Sequence, residues 1–110
     1  MNKQLSVYSL QFLRTTQKSH HHSDLLVRSY VKTYKLPAII TNCSNNFGPR
    51  QNGEKLIPTC IRKLKNREPI PVYGTGQNVR DWIYVKDHVN CIWDVLETGD
   101  VGSQYLIGGK

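Results

Sequence analysis

Apolar positions recur with a helical period from Ser23 onward, and a short unbroken apolar run interrupts that period once. Leu26, Val27, Tyr30, Val31 and Tyr34 fall on one helical face, with Arg28, Lys32 and Lys35 toward the other side and the C-terminal end. Ser23 can serve as N-cap, Asp24 suits the first turn, and Leu36-Pro37 stops the helix because proline disfavours helical geometry in the residue before it. Residues 38–43 then read as a short strand buried on both faces, the signature of a parallel sheet. Ser44-Asn45-Asn46 followed by Phe47-Gly48-Pro49 predicts an Asn-rich turn, and 50–53 a loop.

A second helix is predicted over 55–67, with Pro58 tolerated in its first turn. Leu56, Ile57, Cys60, Ile61 and Leu64 form its apolar stripe, and Arg62, Lys63, Lys65 and Arg67 lie mostly off it. Glu68-Pro69 ends that helix. Residues 70–73 read as a strand, 74–78 as a turn and 80–85 as another strand. Asp87 can cap a helix running to about residue 97, with Val89, Ile92, Trp93 and Leu96 facing inward. Gly99 ends it, and 104–107 make a last strand. Residues 1–22 have no clean period. They close on His20-His21-His22, three adjacent side chains that splay around a helix and cannot easily meet at one ion.

Composition narrows the class. A chain of 110 residues holds one small domain with a modest core. Cys43, Cys60 and Cys91 are far apart and read as reduced, packed thiols rather than a disulfide or zinc framework, as in a cytoplasmic protein. No apolar run approaches a membrane span, and no signal peptide is evident. The net charge of +7 could suit nucleic acid, but the basic residues are scattered. Those of 62–67 look like a solvated helix face, so no nucleic-acid partner is expected; a basic surface also suits an anionic diphosphate.

The candidate chemistry gathers where the buried strand hands over to Asn, Ser and Asn, because ligands of open α/β sheets bind outside the carboxyl ends of the strands. By composition alone a ligand-free turn is the better reading. Arg80 can grip diphosphate oxygens through two parallel hydrogen bonds, against the plainer reading of a salt bridge to Asp81. Gly74-x-Gly76 is no dinucleotide fingerprint, since Val79 stands where the third glycine would be.

Four pieces together change the balance: Ser44-Asn45-Asn46-Phe47-Gly48-Pro49, Glu54-Lys55-Leu56-Ile57-Pro58, Pro71-Val72-Tyr73-Gly74, and Arg80-Asp81-Trp82-Ile83-Tyr84-Val85 with Asp87-His88. In order and spacing they resemble the dTDP-glucose 4,6-dehydratases, extended short-chain dehydrogenase/reductases that act on nucleotide sugars. The resemblance covers about 23–109; residues 1–22 depart from it and stay unassigned. It implies an α/β fold, with 23–110 a partial dehydratase comprising the end of an NAD-binding Rossmann-like half and part of a substrate domain. It also implies substrate contacts from Asn45, Lys55, Leu56, Pro71, Val72, Tyr73 and Arg80. Tyr73 would sit at the thymine, and Asn46 near the nicotinamide of NAD.

For the whole family the reaction oxidises C4 of the sugar, removes water and returns hydride to C6, and full-length relatives commonly form homodimers in the cytoplasm. This chain holds no Tyr-x-x-x-Lys pair, no Gly-x-x-Gly-x-x-Gly motif and no Thr-Asp-Glu segment. It therefore reads as a fragment with no catalytic residue and no metal ligand, inactive alone. Two other readings stay open: a related UDP-sugar epimerase or decarboxylase, and a non-catalytic basic domain that binds anions.

Overall fold

The computed structural model describes residues 6–9, 17–72 and 74–109, with side chains from His22 onward. Eight elements follow in order: β1 (Ser6–Ser9), α1 (Gln17–Tyr34), β2 (Ala38–Cys43), β3 (Asn45–Phe47), α2 (Leu56–Lys65), β4 (Trp82–Tyr84), α3 (Val85–Thr98) and β5 (Gln104–Ile107). The α/β expectation with parallel strands is borne out. One sheet has the order β1-β2-β5, and a second pairs β3 with β4; every pairing is parallel.

β2 is the centre of the core. Ala38, Ile39, Ile40 and Thr41 are all buried in succession, because α1 and α3 both pack on the strand. Ile83 of β4 and Ile107 of β5 complete the buried apolar set. The side of β2 that carries Ile39 faces the end of α3, where Ile39 Cδ1 lies 3.0 Å from the place a Cβ on Gly99 would occupy. Alternation along the strand puts Thr41 and Cys43 on that side, and Asn42 toward α1. Asn42 Nδ2 accordingly donates to Asp24 Oδ2 (3.4 Å), as does Gln104 Nε2 (3.2 Å), while Arg28 donates to the Gln104 amide oxygen. Asp24 thus ties α1 to two strands from inside the helix rather than from its first turn.

Several predicted boundaries move. α1 begins at Gln17, six residues before the expected cap at Ser23, since nothing from Lys18 to His22 breaks a helix. Its half-buried apolar side chains are Val27 and Val31, whereas Leu26, Tyr30 and Tyr34 of the expected inner face are exposed. α2 stops at Lys65, with Arg67 in the left-handed region (φ 57°) and Glu68 N donating back to Lys63 O (2.8 Å). None of its residues is buried, so the stripe of Leu56, Ile61 and Leu64 lies open.

The strand expected over 70–73 is irregular backbone across 70–72, and Tyr73 lies outside the described residues. Pro69 and Pro71 lack the N–H that a ladder needs. α3 starts directly from β4, with Tyr84 in the cap position and Asp87 inside the first turn. Val89 and Trp93 face outward, and buried His88 takes the inner position with half-buried Cys91, Ile92, Val95 and Leu96. The turn expected at 45–47 is instead β3. The three histidines fall within α1.

Candidate functional site

Between β2 and β3 the chain changes sheets at a single residue. Ser44 N donates to Ile107 O (3.0 Å), still on the β5 ladder, and Asn45 N donates to Asp81 O (3.2 Å), already on the β4 side. Asn45 Nδ2 donates to the same Asp81 carbonyl (3.1 Å), so backbone and side chain both fix the junction. Asp81 uses its carboxylate elsewhere: Oδ2 accepts from Gly109 N (3.0 Å). A Cβ on Gly109 would lie 2.2 Å from Trp82 O, so only glycine lets the end of β5 lie this close to β4. Gly48 serves a similar purpose after β3, where a Cβ would meet Val85 Cγ1 at 2.6 Å.

Asn46 stands one residue further along. Its Nδ2 donates to Cys43 Sγ (3.2 Å), its backbone oxygen accepts from Gln51 Nε2 (2.8 Å), and its buried Oδ1 has no partner among the described residues. Ser44 Oγ, Thr41 Oγ1 and Gln51 Oε1 are buried without described partners as well. Such atoms cost stability unless water or a ligand reaches them. His88, buried on the first turns of α3, leaves Nε2 without a partner among the described residues, and burial holds its pKa below the ordinary histidine value.

Of the other predicted residues Tyr73 lies outside the described residues, and Lys55, Leu56, Pro71, Val72 and Arg80 are exposed. Lys55 occupies the N-cap of α2, and Leu56 its first turn. Pro71 and Val72 lie in irregular backbone, Val72 Cγ1 reaching over the turn at Gly76 (2.9 Å from a Cβ there). Arg80, an exposed residue, donates from NH1 to the carbonyl of Val79 (2.8 Å) rather than pairing with Asp81. The structure therefore joins Asn45 to the Arg80-Asp81 segment through Asp81, while Asn46 pairs with Ile83 of β4. Among the described residues no hydrogen bond joins Lys55, Leu56, Pro71, Val72 or the Arg80 side chain to that junction.

An open cleft of about 420 Å³ lies instead between the β3–α2 connection and α2, lined by Gly48, Arg50, Gln51, Ile57, Pro58, Ile61, Arg62, Lys65 and Asn66. Sequence reasoning missed Gln51 and the structural role of Asp81. The signal for Asp81 was available in Arg80-Asp81-Trp82; none marked Gln51. Among the described residues no group of His, Cys, Asp and Glu could hold a metal, and no helix is long and apolar enough to cross a membrane.

Comparison with known proteins places this geometry. Residues 17–108 match the profile of the NAD dependent epimerase/dehydratase family. The chain is similar to dTDP-glucose 4,6-dehydratase of Neisseria gonorrhoeae, 51% identical over 87 residues, which is 79% of this chain and 25% of that protein. It is similar also to the low-salt glycan biosynthesis protein Agl12 of Haloferax volcanii, 56% identical over 86 residues, 78% of this chain and 28% of that one. Among solved structures it resembles dTDP-glucose 4,6-dehydratase from Bacillus anthracis in complex with NAD, with a TM-score of 0.83 and 39% identity over 99% of this chain and 36% of that one. The chain spans about a quarter of the length of the curated relatives it matches.

Proposed function

The chain belongs to the NAD dependent epimerase/dehydratase family, and from that premise we propose that residues 23–110 form part of a dTDP-glucose 4,6-dehydratase, supplying one wall of its nucleotide-sugar site. In this reading Asn45 contacts the sugar and Arg80 grips the diphosphate. Lys55 and Leu56 flank the diphosphate path, and Pro71, Val72 and Tyr73 shape the base pocket. The observation that carries it is the double hydrogen bond from Asn45 to Asp81 O (3.2 and 3.1 Å), which locks the Asn-rich junction against the segment presenting Arg80.

The residues present fit NAD at one end. Asn46 Oδ1 is a buried acceptor without a partner, as needed to receive the N–H of a nicotinamide carboxamide. Bound NAD would supply hydride uptake from the sugar and its return. Asn46 would hold the carboxamide, while its Nδ2 stays on Cys43 Sγ (3.2 Å) and Gln51 steadies its backbone (2.8 Å). The Gly-rich phosphate motif is not among the residues of this chain. The wider reading is a cytoplasmic protein with no nucleic-acid partner, paired as a homodimer in its full-length form.

Calorimetric titration with dTDP and with UDP tests the proposal. The chain should bind dTDP more tightly than UDP, and Arg80→Lys should weaken dTDP about tenfold through loss of the two-pronged contact. Equal binding of both nucleotides, unaffected by Arg80→Lys and steeply lost with salt, would mark a non-specific basic surface instead.

A further inference from the structure

The cleft beside α2 contains none of the residues assigned to the nucleotide-sugar wall. Three of its lining side chains are cationic (Arg50, Arg62 and Lys65), and no Asp or Glu lines it. The wall against them is apolar, made by Ile57, Pro58 and Ile61. A plainer account exists for part of this arrangement: cations in the last turn of a helix complement its dipole. Lys63, in that same turn, already forms an ion pair with Glu68 (3.0 Å). Arg50 belongs to the connection before α2, where its backbone occupies the left-handed region (φ 63°), so the helix dipole does not account for it.

Three positive charges line one cleft whose lining holds no carboxylate, Glu68 outside it acting on Arg62 only through space, and together they raise the local concentration of anions. Two of them are guanidinium groups, which match phosphate oxygens in geometry as well as charge. The volume of about 420 Å³ is that of a small-molecule site, and the apolar wall excludes a bare, fully hydrated ion as the best occupant.

We propose that the Arg50–Arg62–Lys65 cleft is a second anion site, separate from the proposed nucleotide-sugar wall, and that it takes a small phosphate ester whose organic part lies on Ile57, Pro58 and Ile61. The proposal does not rest on the dehydratase reading.

The test is calorimetric titration of the full chain with phenyl phosphate and with inorganic phosphate, in a Lys55→Gln/Arg80→Gln background that disables the proposed sugar-nucleotide wall. Phenyl phosphate should bind more tightly than phosphate. Adding Arg62→Gln/Lys65→Gln should weaken it by about tenfold, as expected for two lost charged contacts. Removing the same charge at the end of α1 and just after it, with Lys32→Gln/Lys35→Gln, should change it by less than about twofold, since these exposed lysines line no part of the cleft and solvent screens them. A thermal melt of each variant accompanies the titrations. Equal losses from both pairs would reduce the effect to overall charge and overturn the proposal. So would phosphate binding as tightly as its phenyl ester, or no binding by a chain that melts cooperatively. A chain without a cooperative melt that still binds both probes alike would also overturn it, because the cleft requires a folded α2.

Discussion

His88 is the residue whose environment makes the sharpest demand. It is 5% exposed, its Nε2 has no partner among the described residues, and burial lowers its pKa from the ordinary 6.5. The neutral ring is the form the fold accepts, so the unfolded chain binds the extra proton first. Stability should therefore be level above about pH 6.5 and fall as the pH drops from there toward the lower folded pKa. His88→Gln should flatten that fall, which denaturant midpoints measured between pH 5 and 7.5 (roughly one unit either side of the ordinary histidine range) would show; an unchanged slope would contradict the assignment. At Gly109 the demand is steric. A methyl there would lie 2.2 Å from Trp82 O, so Gly109→Ala should lower the melting temperature by separating β5 from β4. These two sites differ in legibility: Gly108-Gly109 stood in the sequence as a strand end, but its closeness to Trp82 depends on a contact across 27 positions that no local pattern encodes.

Among the elements, β2 and α2 are opposites. β2 has Ile39 at 0% exposure between two helices, and Ile39→Ala should cost about 3 kcal/mol in chemical unfolding through the lost methylenes and the cavity left behind. α2 carries the clearest apolar stripe of the sequence, yet Ile61 is 50% and Leu64 is 64% exposed. Leu64→Ala should therefore change stability by no more than about 0.5 kcal/mol. If Leu64→Ala proved as damaging as Ile39→Ala, α2 would have to pack more closely than described. β2 and β5 were readable residue by residue, since short apolar runs bounded by Pro and Gly leave few alternatives. β3 was not: Asn45 and Asn46 favour turns locally, and only pairing with β4 draws them into a strand. In α1 and α3 the inward places of Val27, Val31, Ile92 and Leu96 were found, but Leu26, Tyr30, Tyr34, Val89 and Trp93 were expected inward as well. A stripe of four or five apolar residues spans more of a helix than one sheet can cover, so the outward place of Tyr30, Tyr34 and Trp93 is set by tertiary packing.

At the scale of the molecule, the parallel α/β order and the family were legible because the four quoted pieces keep their order and spacing. The site was legible in part. Among the described residues Asn45 bonds to Asp81 and Asn46 pairs along β4, whereas Lys55, Leu56, Pro71 and Val72 are exposed. The sequence holds no Tyr-x-x-x-Lys pair to take a proton from the sugar hydroxyl, so the pure chain should show no turnover of dTDP-glucose when product formation is followed; measurable turnover would contradict the reading. The central claim is that β2, β3 and β4 hold a nucleotide-binding wall in a folded chain. A thermal melt of the purified chain with and without dTDP tests it most directly. Ligand at about a hundred times its dissociation constant should add roughly 2.7 kcal/mol, raising a cooperative transition. A transition that dTDP leaves in place, or no transition at all, would contradict it.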